Sequence, residues 1–292
     1  AALRCFLHSQ AVGESAKIPL EYYENNLITT FVLLRLLDEF KCHSIVFSSS
    51  ATVYGAAEMM PITEMTQVGV GITNAYGRTK YMIEEILTDF YNSKTLGDQT
   101  TDWSVVVLRY FNPVGAHPSG LIGEDPNGIP NNLMPYVTQV AVGQWPQVNV
   151  FGNNYPTPDG TGVRDFIHVQ DLAAGHVAAL RTLLNSGDSF TVNLGTGRGV
   201  SVLEVVHAVE RASERAVPFA FAPRRAAPRR AAPPRRCSAV LRQRVAGQAI
   251  VGLGSSALAR RDVCRRLALA KRQPQRVPGL SACRSTDWPG AC

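Results

Sequence analysis

The chain has 292 residues and a formal charge of +6, enough length for one large domain or two smaller ones. That positive sign does not indicate nucleic-acid binding, because residues 224–292 hold fifteen Arg and one Lys against Asp262 and Asp287, a charge of +14, while the remainder carries minus eight. Two of the six cysteines, Cys5 and Cys42, precede that basic end; no C-x-x-C, long apolar run or secretory leader is visible, which argues against a zinc site or membrane span and leads us to expect a cytosolic address.

Pro19 suits a first helical position, and Leu20, Tyr23, Leu27, Phe31, Leu34 and Leu37 then recur at steps of three and four, predicting an amphipathic helix to about Phe40. Ser44 to Ser49 is a β-rich run of the kind that forms a buried parallel strand. After a loop rich in Gly and Pro, Tyr76 opens a second helix with Tyr81, Ile83, Ile86, Leu87 and Phe90 on its apolar side, and Ser104 to Leu108 is the next strand. This order is the α/β pattern of a doubly wound parallel sheet. From Asn112 the chain becomes rich in Gly, Pro and Asn, with a helix from near Asn132 and short strands around Val148 and Val163, as in a smaller substrate-binding part. Leu172 to Leu184 reads as a helix, Phe190 to Leu194 as a strand, and Ser201 as the N-cap of a helix to about Glu214. Gly195-Thr196-Gly197 lacks the third glycine of a dinucleotide loop and reads as a turn.

The most informative chemistry is Tyr76 and Lys80, four residues apart, with Ser50 at the end of the apolar strand. Residues four apart share one helix face, so the ammonium can lie beside the phenol and favour phenolate. Such a tyrosine can take a proton from a hydroxyl. A serine at the carboxyl end of a neighbouring parallel strand can hydrogen-bond the same hydroxyl, because these sheets place their ligand crevice there. The bland alternative is a surface Tyr/Lys pair.

Longer segments carry a resemblance. Ala11-Val12-Gly13-Glu14-Ser15, Ile45-Val46-Phe47-Ser48-Ser49-Ser50-Ala51-Thr52-Val53-Tyr54-Gly55, Leu108-Arg109-Tyr110-Phe111-Asn112-Pro113, Gly123-Glu124-Asp125-Pro126, Asn131-Asn132-Leu133-Met134-Pro135-Tyr136 and Asp159-Gly160-Thr161-Gly162-Val163-Arg164-Asp165 stand in order. Together they resemble the UDP-glucose 4-epimerases of the extended short-chain dehydrogenase/reductase family over about residues 11 to 221. The resemblance implies a Rossmann-type sheet, NAD as cofactor, and interconversion of UDP-glucose and UDP-galactose through a 4-keto sugar. It makes Tyr76 the base, Lys80 its tuning cation and a ribose contact, Ser50 the partner of the C4 oxygen and Thr52 an auxiliary. Asn25 and Ser48 join Tyr76 and Lys80 as cofactor contacts; Asn112, Asn132, Leu133, Phe151 and Arg164 would hold the UDP-sugar. Helix capping is the bland reading of the asparagines, and a surface charge that of Arg164. Sugar-nucleotide dehydratases place an acid pair directly after the serine; here Ala51 and Thr52 stand there, which disfavours elimination. The resemblance also implies a homodimer through the helices beginning near Pro19 and Tyr76, with neither metal nor nucleic acid as partner. Another UDP-sugar as substrate and a non-catalytic remnant stay open as alternatives.

Two regions depart from the pattern. The amino end lacks the strand, Gly-x-Gly-x-x-Gly and helix of a dinucleotide fold, and Gln10 stands where the family has a lysine. Residues 223–236 are dominated by Ala, Pro and Arg, and codons for two later segments can be chosen so that a one-base shift yields family-like sequence. The expected organisation is a partial NAD-binding part over 1–111, a UDP-sugar-binding region over 112–222 interleaved with the end of the sheet, and an aberrant tail over 223–292. An amino-terminal truncation and a frame shift after about residue 222 are expected, and with them an inactive polypeptide whose sheet has an open edge.

Overall fold

The computed structural model describes residues 3–5, 12–57, 59–94, 103–124, 126 and 128–223. Gln10, Ala11, Asp125 and the basic segment 224–292 lie outside these residues. The elements run β1 (Leu3–Cys5), α1 (Val12–Ser15), α2 (Pro19–Glu39), β2 (Ser44–Ser50), a 3-10 turn (Ala51–Tyr54), α3 (Ala75–Ser93), β3 (Ser104–Tyr110) and β4 (Asn112–Val114). They continue with α4 (Leu133–Ala141), β5 (Val148–Phe151), β6 (Val163–His168), α5 (Val169–Ser186), β7 (Phe190–Leu194), β8 (Gly199–Ser201), α6 (Val202–Ser213) and β9 (Phe219–Ala222). The main sheet has the order β1-β2-β3-β7 and all its pairs are parallel. Where the sequence leads one to expect an open edge beside β2, β1 pairs with Ile45, Val46 and Phe47.

Helices cover both faces, which is why β2 and β3 are apolar almost throughout. On one face Leu34 and Leu37 of α2 and Ile83 and Leu87 of α3 pack on Ile45, Phe47, Val105 and Val107. On the other, Ala179 and Leu183 of α5 pack on Val46, Val106, Leu108 and Val192. A third core joins α4, α6 and β5 through Val137, Val140, Val148, Val150, Val206 and Val209. The rest of the smaller part is β4-β6-β8 and the pair β5-β9. Ser201 caps α6 through a full capping box with Glu204, as its position before the apolar run predicts.

The face that α2 buries is rotated from the one its leucines suggest. Tyr22, Asn26, Thr30, Leu34 and Leu37 are inside, whereas Leu20 is 78% exposed and Phe31 43%. Polar residues can take the buried stripe because each is satisfied: Asn26 donates to Thr79 Oγ1 at 2.9 Å, and Thr30 donates to the carbonyl of Asn26 at 2.8 Å.

A buried ion pair clamps α3 onto the sheet. Glu84, 6% exposed, receives Arg109, 8% exposed, through Nη2 at 2.6 Å and Nε at 3.1 and 3.2 Å. Ser49 of β2 also donates to Glu84, and Arg109 Nη1 donates to the Tyr54 hydroxyl, which donates on to Asn193 of β7. Burial alone would pull the Arg109 pKa down, but its bonds to Glu84 outweigh burial and hold it up. Three strands and a helix therefore share one network, with partners for both charges. Glu84→Ala leaves the guanidinium buried and unpaired and is expected to cost about 3–5 kcal/mol in urea unfolding, whereas the paired replacement Glu84→Leu with Arg109→Met costs less than either single change.

Candidate active site

The first turn of α3 is set by Asn74, whose side-chain oxygen accepts from the Gly77 N–H at 2.7 Å. This start places Tyr76 in the opening turn and Lys80 one turn on, on the same face. Gly77 then lets the helix descend onto the turn that follows β2, since a Cβ there would stand 2.8 Å from Ile72 Cγ2 and 3.2 Å from Thr52 Cβ. Ser50 Oγ accepts from Thr52 N at 3.2 Å and from Thr52 Oγ1 at 3.0 Å. With both acceptor positions taken, the serine proton is left to donate, and it donates to the phenol oxygen of Tyr76. Lys80 is fully buried. Its Nζ donates to the carbonyl of Ser48 at 2.8 Å and lies 4.9 Å from the Phe47 ring centroid and 5.7 Å from that of Tyr76.

The expected tuning of the phenol is not what this geometry produces by itself. Tyr76 is pushed well above the usual tyrosine range, first by burial, then by Tyr110 and Tyr22 alongside, against the opposing hydrogen bond from Ser50. The Ser48 carbonyl holds the Lys80 ammonium, and the phenol, on a side chain only 5% exposed, is governed by its desolvation.

Other expected cofactor contacts fall differently. The Ser48 hydroxyl lies 2.9 Å from His176 Nε2, and His176 Nδ1 is 2.8 Å from the carbonyl of Leu172. A carbonyl only accepts, so Nδ1 carries the proton and Ser48 donates to Nε2. The carbonyl of Ser48, not its hydroxyl, therefore serves the site by anchoring Lys80. Asn25 is exposed and donates to Asn26 Oδ1 at 3.1 Å. Its buried neighbour Asn26, which sequence reasoning missed, ties α2 to Thr79 between Tyr76 and Lys80.

The five residues expected to hold substrate share one cleft of about 300 Å³: Asn112, Asn132, Leu133, Phe151 and Arg164 all line it. It begins just past the carboxyl ends of the strands. Ser50 is opposite Tyr110 on β3, and Asn112, two residues on, pairs with Phe166 on β6. Part of the lining favours anions. Asn132 occupies the N-cap position of α4 yet makes no capping bond; its amide donates to Glu124 at 2.9 Å instead. The leading amides of α4 are thus left uncapped by the Asn132 side chain, and the exposed Arg164 lines the same cleft. Phe151, Tyr155 and Asn149 line it as well. Here β5 pairs with β9 through Val148 N to Pro218 O at 2.7 Å and, one residue beyond the strand, Gly152 N to Ala222 O at 2.9 Å. The alternation of a strand turns the backbone N–H and C=O of Asn149 and Phe151 to the edge away from β9, and both residues line the cleft. Asn149 escaped the sequence reading, although the alternation Val148-Asn149-Val150-Phe151 puts it on the face of Phe151.

A family model described as "NAD dependent epimerase/dehydratase family" matches residues 5–195. UDP-glucose 4-epimerase of Bacillus subtilis is 59% identical over 220 residues, covering 75% of this chain and 62% of that protein; the one from Dictyostelium discoideum is 55% identical over 221 residues, with the same coverage. Among solved structures, UDP-glucose 4-epimerase of Bifidobacterium longum in complex with NAD+ and UDP is 52% identical with a TM-score of 0.70, covering 77% of this chain and 64% of that one. That of Stenotrophomonas maltophila with bound NAD and formylated UDP-arabinopyranose is 48% identical with a TM-score of 0.73, covering 77% and 65%. The chain spans less than two thirds of the length of these relatives.

The raised phenol has a consequence for stability. A group whose pKa is higher folded than unfolded stabilises the fold fully below the unfolded value and loses that contribution as pH rises through the folded one. Stability should therefore fall as pH climbs above about 10, the ordinary tyrosine value, and Tyr76→Phe should flatten that fall in unfolding midpoints measured from about pH 9 to 11.

Proposed function

The chain belongs to the NAD dependent epimerase/dehydratase family, and we propose that its chemistry is that of a UDP-glucose 4-epimerase. The observation that supports this reading is that Tyr76, Ser50 and Lys80 gather where β2 ends, while a cleft lined by Asn112, just past β3, also takes Arg164, the start of α4 and Phe151. A nucleoside diphosphate sugar suits such a cleft: phosphate oxygens at the guanidinium and helix end, a flat base at the ring, and the hexose toward Ser50.

In this reading Tyr76 acts in its phenolate form, taking the proton of the sugar C4 hydroxyl and so becoming the neutral phenol that holds it. Ser50, whose lone pairs are occupied by Thr52, directs its own proton at the same C4 oxygen. Lys80 supplies positive charge beside the ring, and the Ser48 carbonyl keeps it from swinging into the crevice. NAD, when bound, supplies the acceptor and donor of the C4 hydride. Returning the Tyr76 proton to the oxygen of the rotated sugar closes the cycle with no net acid or base consumed. Elimination has no support here, because the positions after Ser50 are Ala51 and a Thr52 committed to Ser50.

The residues present fit the nicotinamide half of the cofactor: the buried Lys80 and the Tyr76–Ser50 pair suit its ribose. Pairing of two copies through α2 and α3 is supported by the exposed stripe Ile28, Phe31, Val32 and Leu36. No helix among the described residues is long and apolar enough to cross a membrane.

The purified chain should bind UDP and UDP-glucose in isothermal titration. Failure to bind UDP would overturn the assignment of the cleft.

A further inference from the structure

We propose that Asp159 is a positioning residue for the UDP-sugar: its carboxylate latches the loop 153–161 to the start of α6 and so fixes where Arg164 meets phosphate oxygens. Asp159 is not itself among the residues that line the cleft. The inference rests on the assignment of the cleft to a UDP-sugar.

Three donors from two distant segments meet on this half-buried side chain. Oδ1 accepts the Thr161 N–H at 2.9 Å and the Thr161 hydroxyl at 2.8 Å, while Oδ2 accepts the hydroxyl of Ser201, 42 residues on. Thr161 and Ser201 are both buried, and the Ser201 oxygen also accepts the Glu204 N–H at 3.0 Å, so Asp159 reaches the capping box of α6. Burial raises the pKa of Asp159, but the bonds from Ser201 and Thr161 hold it below the usual carboxylate range, so the latch is charged at neutral pH. The loop is also closed on itself. The Tyr155 N–H donates to the Gly160 carbonyl at 3.0 Å and the Thr157 hydroxyl to the Thr161 carbonyl at 2.7 Å, and a Cβ at Gly160, whose φ is +73°, would collide with the Asn153 carbonyl.

Four residues of the cleft wall hang on this joint. Gly162 follows Thr161, and its carbonyl accepts the N–H of Val202, which follows Ser201, at 3.0 Å; Tyr155 is tied to Gly160, and Arg164 sits on the ribbon formed by β6 and β8. That ribbon has three paired positions, Val163 with Ser201, Arg164 with Val200 and Asp165 with Gly199, and β4 supports β6 only from Phe166 onward. A two-stranded pair this short does not hold itself in place. Carboxylates fasten it at both ends: Asp159 beside the first pair, and Asp165 at the last, where it accepts the N–H groups of Thr196 at 2.9 Å and Gly197 at 2.8 Å. Arg164 lies between them, and its Nη1 donates to the Val163 carbonyl at 2.7 Å, so the guanidinium moves with the ribbon. A planar fork of donors matches phosphate oxygens only in a narrow range of positions, so slack in the ribbon is lost affinity.

The test is isothermal titration of the purified 292-residue chain with UDP, well below the unfolding midpoint of each protein, using the wild type, Asp159→Ala, Asp159→Asn, Arg164→Ala and the Asp159→Ala/Arg164→Ala pair. Circular dichroism confirms that each is folded. Asp159→Ala should weaken UDP about 10-fold, the scale of one misplaced charge-assisted contact. In the Arg164→Ala background the same change should cost about twofold or less, because the group it positions is gone. Asp159→Asn keeps both Thr161 bonds through Oδ1 and can donate to the Ser201 oxygen, so it should stay within about threefold of the wild type. A carboxylate that served stability alone would lower the unfolding midpoint and leave the affinity of the folded protein unchanged. Should Asp159→Ala not fold, Thr161→Val, which removes one bond to Asp159 and keeps the shape, takes its place in the same comparison with an expected loss of about threefold. Unchanged UDP affinity in the latch variant, a loss that persists in full beside Arg164→Ala, or Asp159→Asn as weak as Asp159→Ala would overturn the role of Asp159 while leaving the cleft assignment standing. No UDP binding by the wild type would overturn both.

Discussion

The site depends on how α3 is seated on β2 and β3. Three charged side chains on or under this helix are buried: Lys80, Glu84 and Arg109. A buried charge is tolerated only where its partners are in place, because desolvation otherwise exceeds anything packing returns. Lys80 has the Ser48 carbonyl, and Glu84 has Ser49 and the fork of Arg109. Sliding the helix by one residue would break both sets at once. The apolar contacts of Ile83 and Leu87 hold the helix down, but they would accept a shifted register more readily than these polar contacts would.

That seating is what turns the run Ser48-Ser49-Ser50 into three different devices. Ser48 contributes a carbonyl to Lys80 and a hydroxyl to His176 on the opposite face of the sheet. Ser49 points to the α3 side and supports Glu84. Ser50, where the strand ends, has its proton aimed at Tyr76. Three identical residues differ in role because successive side chains of a strand point to opposite faces, and because the last one is also the cap of the 3-10 turn.

The protein by itself holds Tyr76 as a neutral phenol. Its burial raises the cost of phenolate more than the Ser50 bond lowers it. A closed, desolvated pocket of this kind makes any added charge count heavily, since interactions strengthen as water is excluded. The base is therefore poised by what enters the pocket as much as by the residues around it. This differs from the simple picture of a lysine one turn away depressing its neighbour. Spacing put the two residues on one face, but the Ser48 carbonyl decided where the ammonium went.

Local sequence determined the elements and their order. Pro19, Asn74 and Ser201 mark helix starts by chemistry that works within a few residues, and the apolar runs at 44–50 and 104–110 have the composition of strands covered on both faces. The residues proposed for the site lie in short continuous segments, and the five proposed as substrate contacts line one cleft. What only the tertiary structure decided are the relations between segments distant in the chain. The rotated face of α2 depends on Asn26 meeting Thr79, 53 residues away, and the clamp on Glu84 meeting Arg109, 25 residues away. The edge that Asn149 presents depends on which side of β5 is taken by β9. Periodicity states which residues share a face, but the partner that covers it, and so the charge and the hydrogen bond each side chain finally meets, is fixed only when the chain folds.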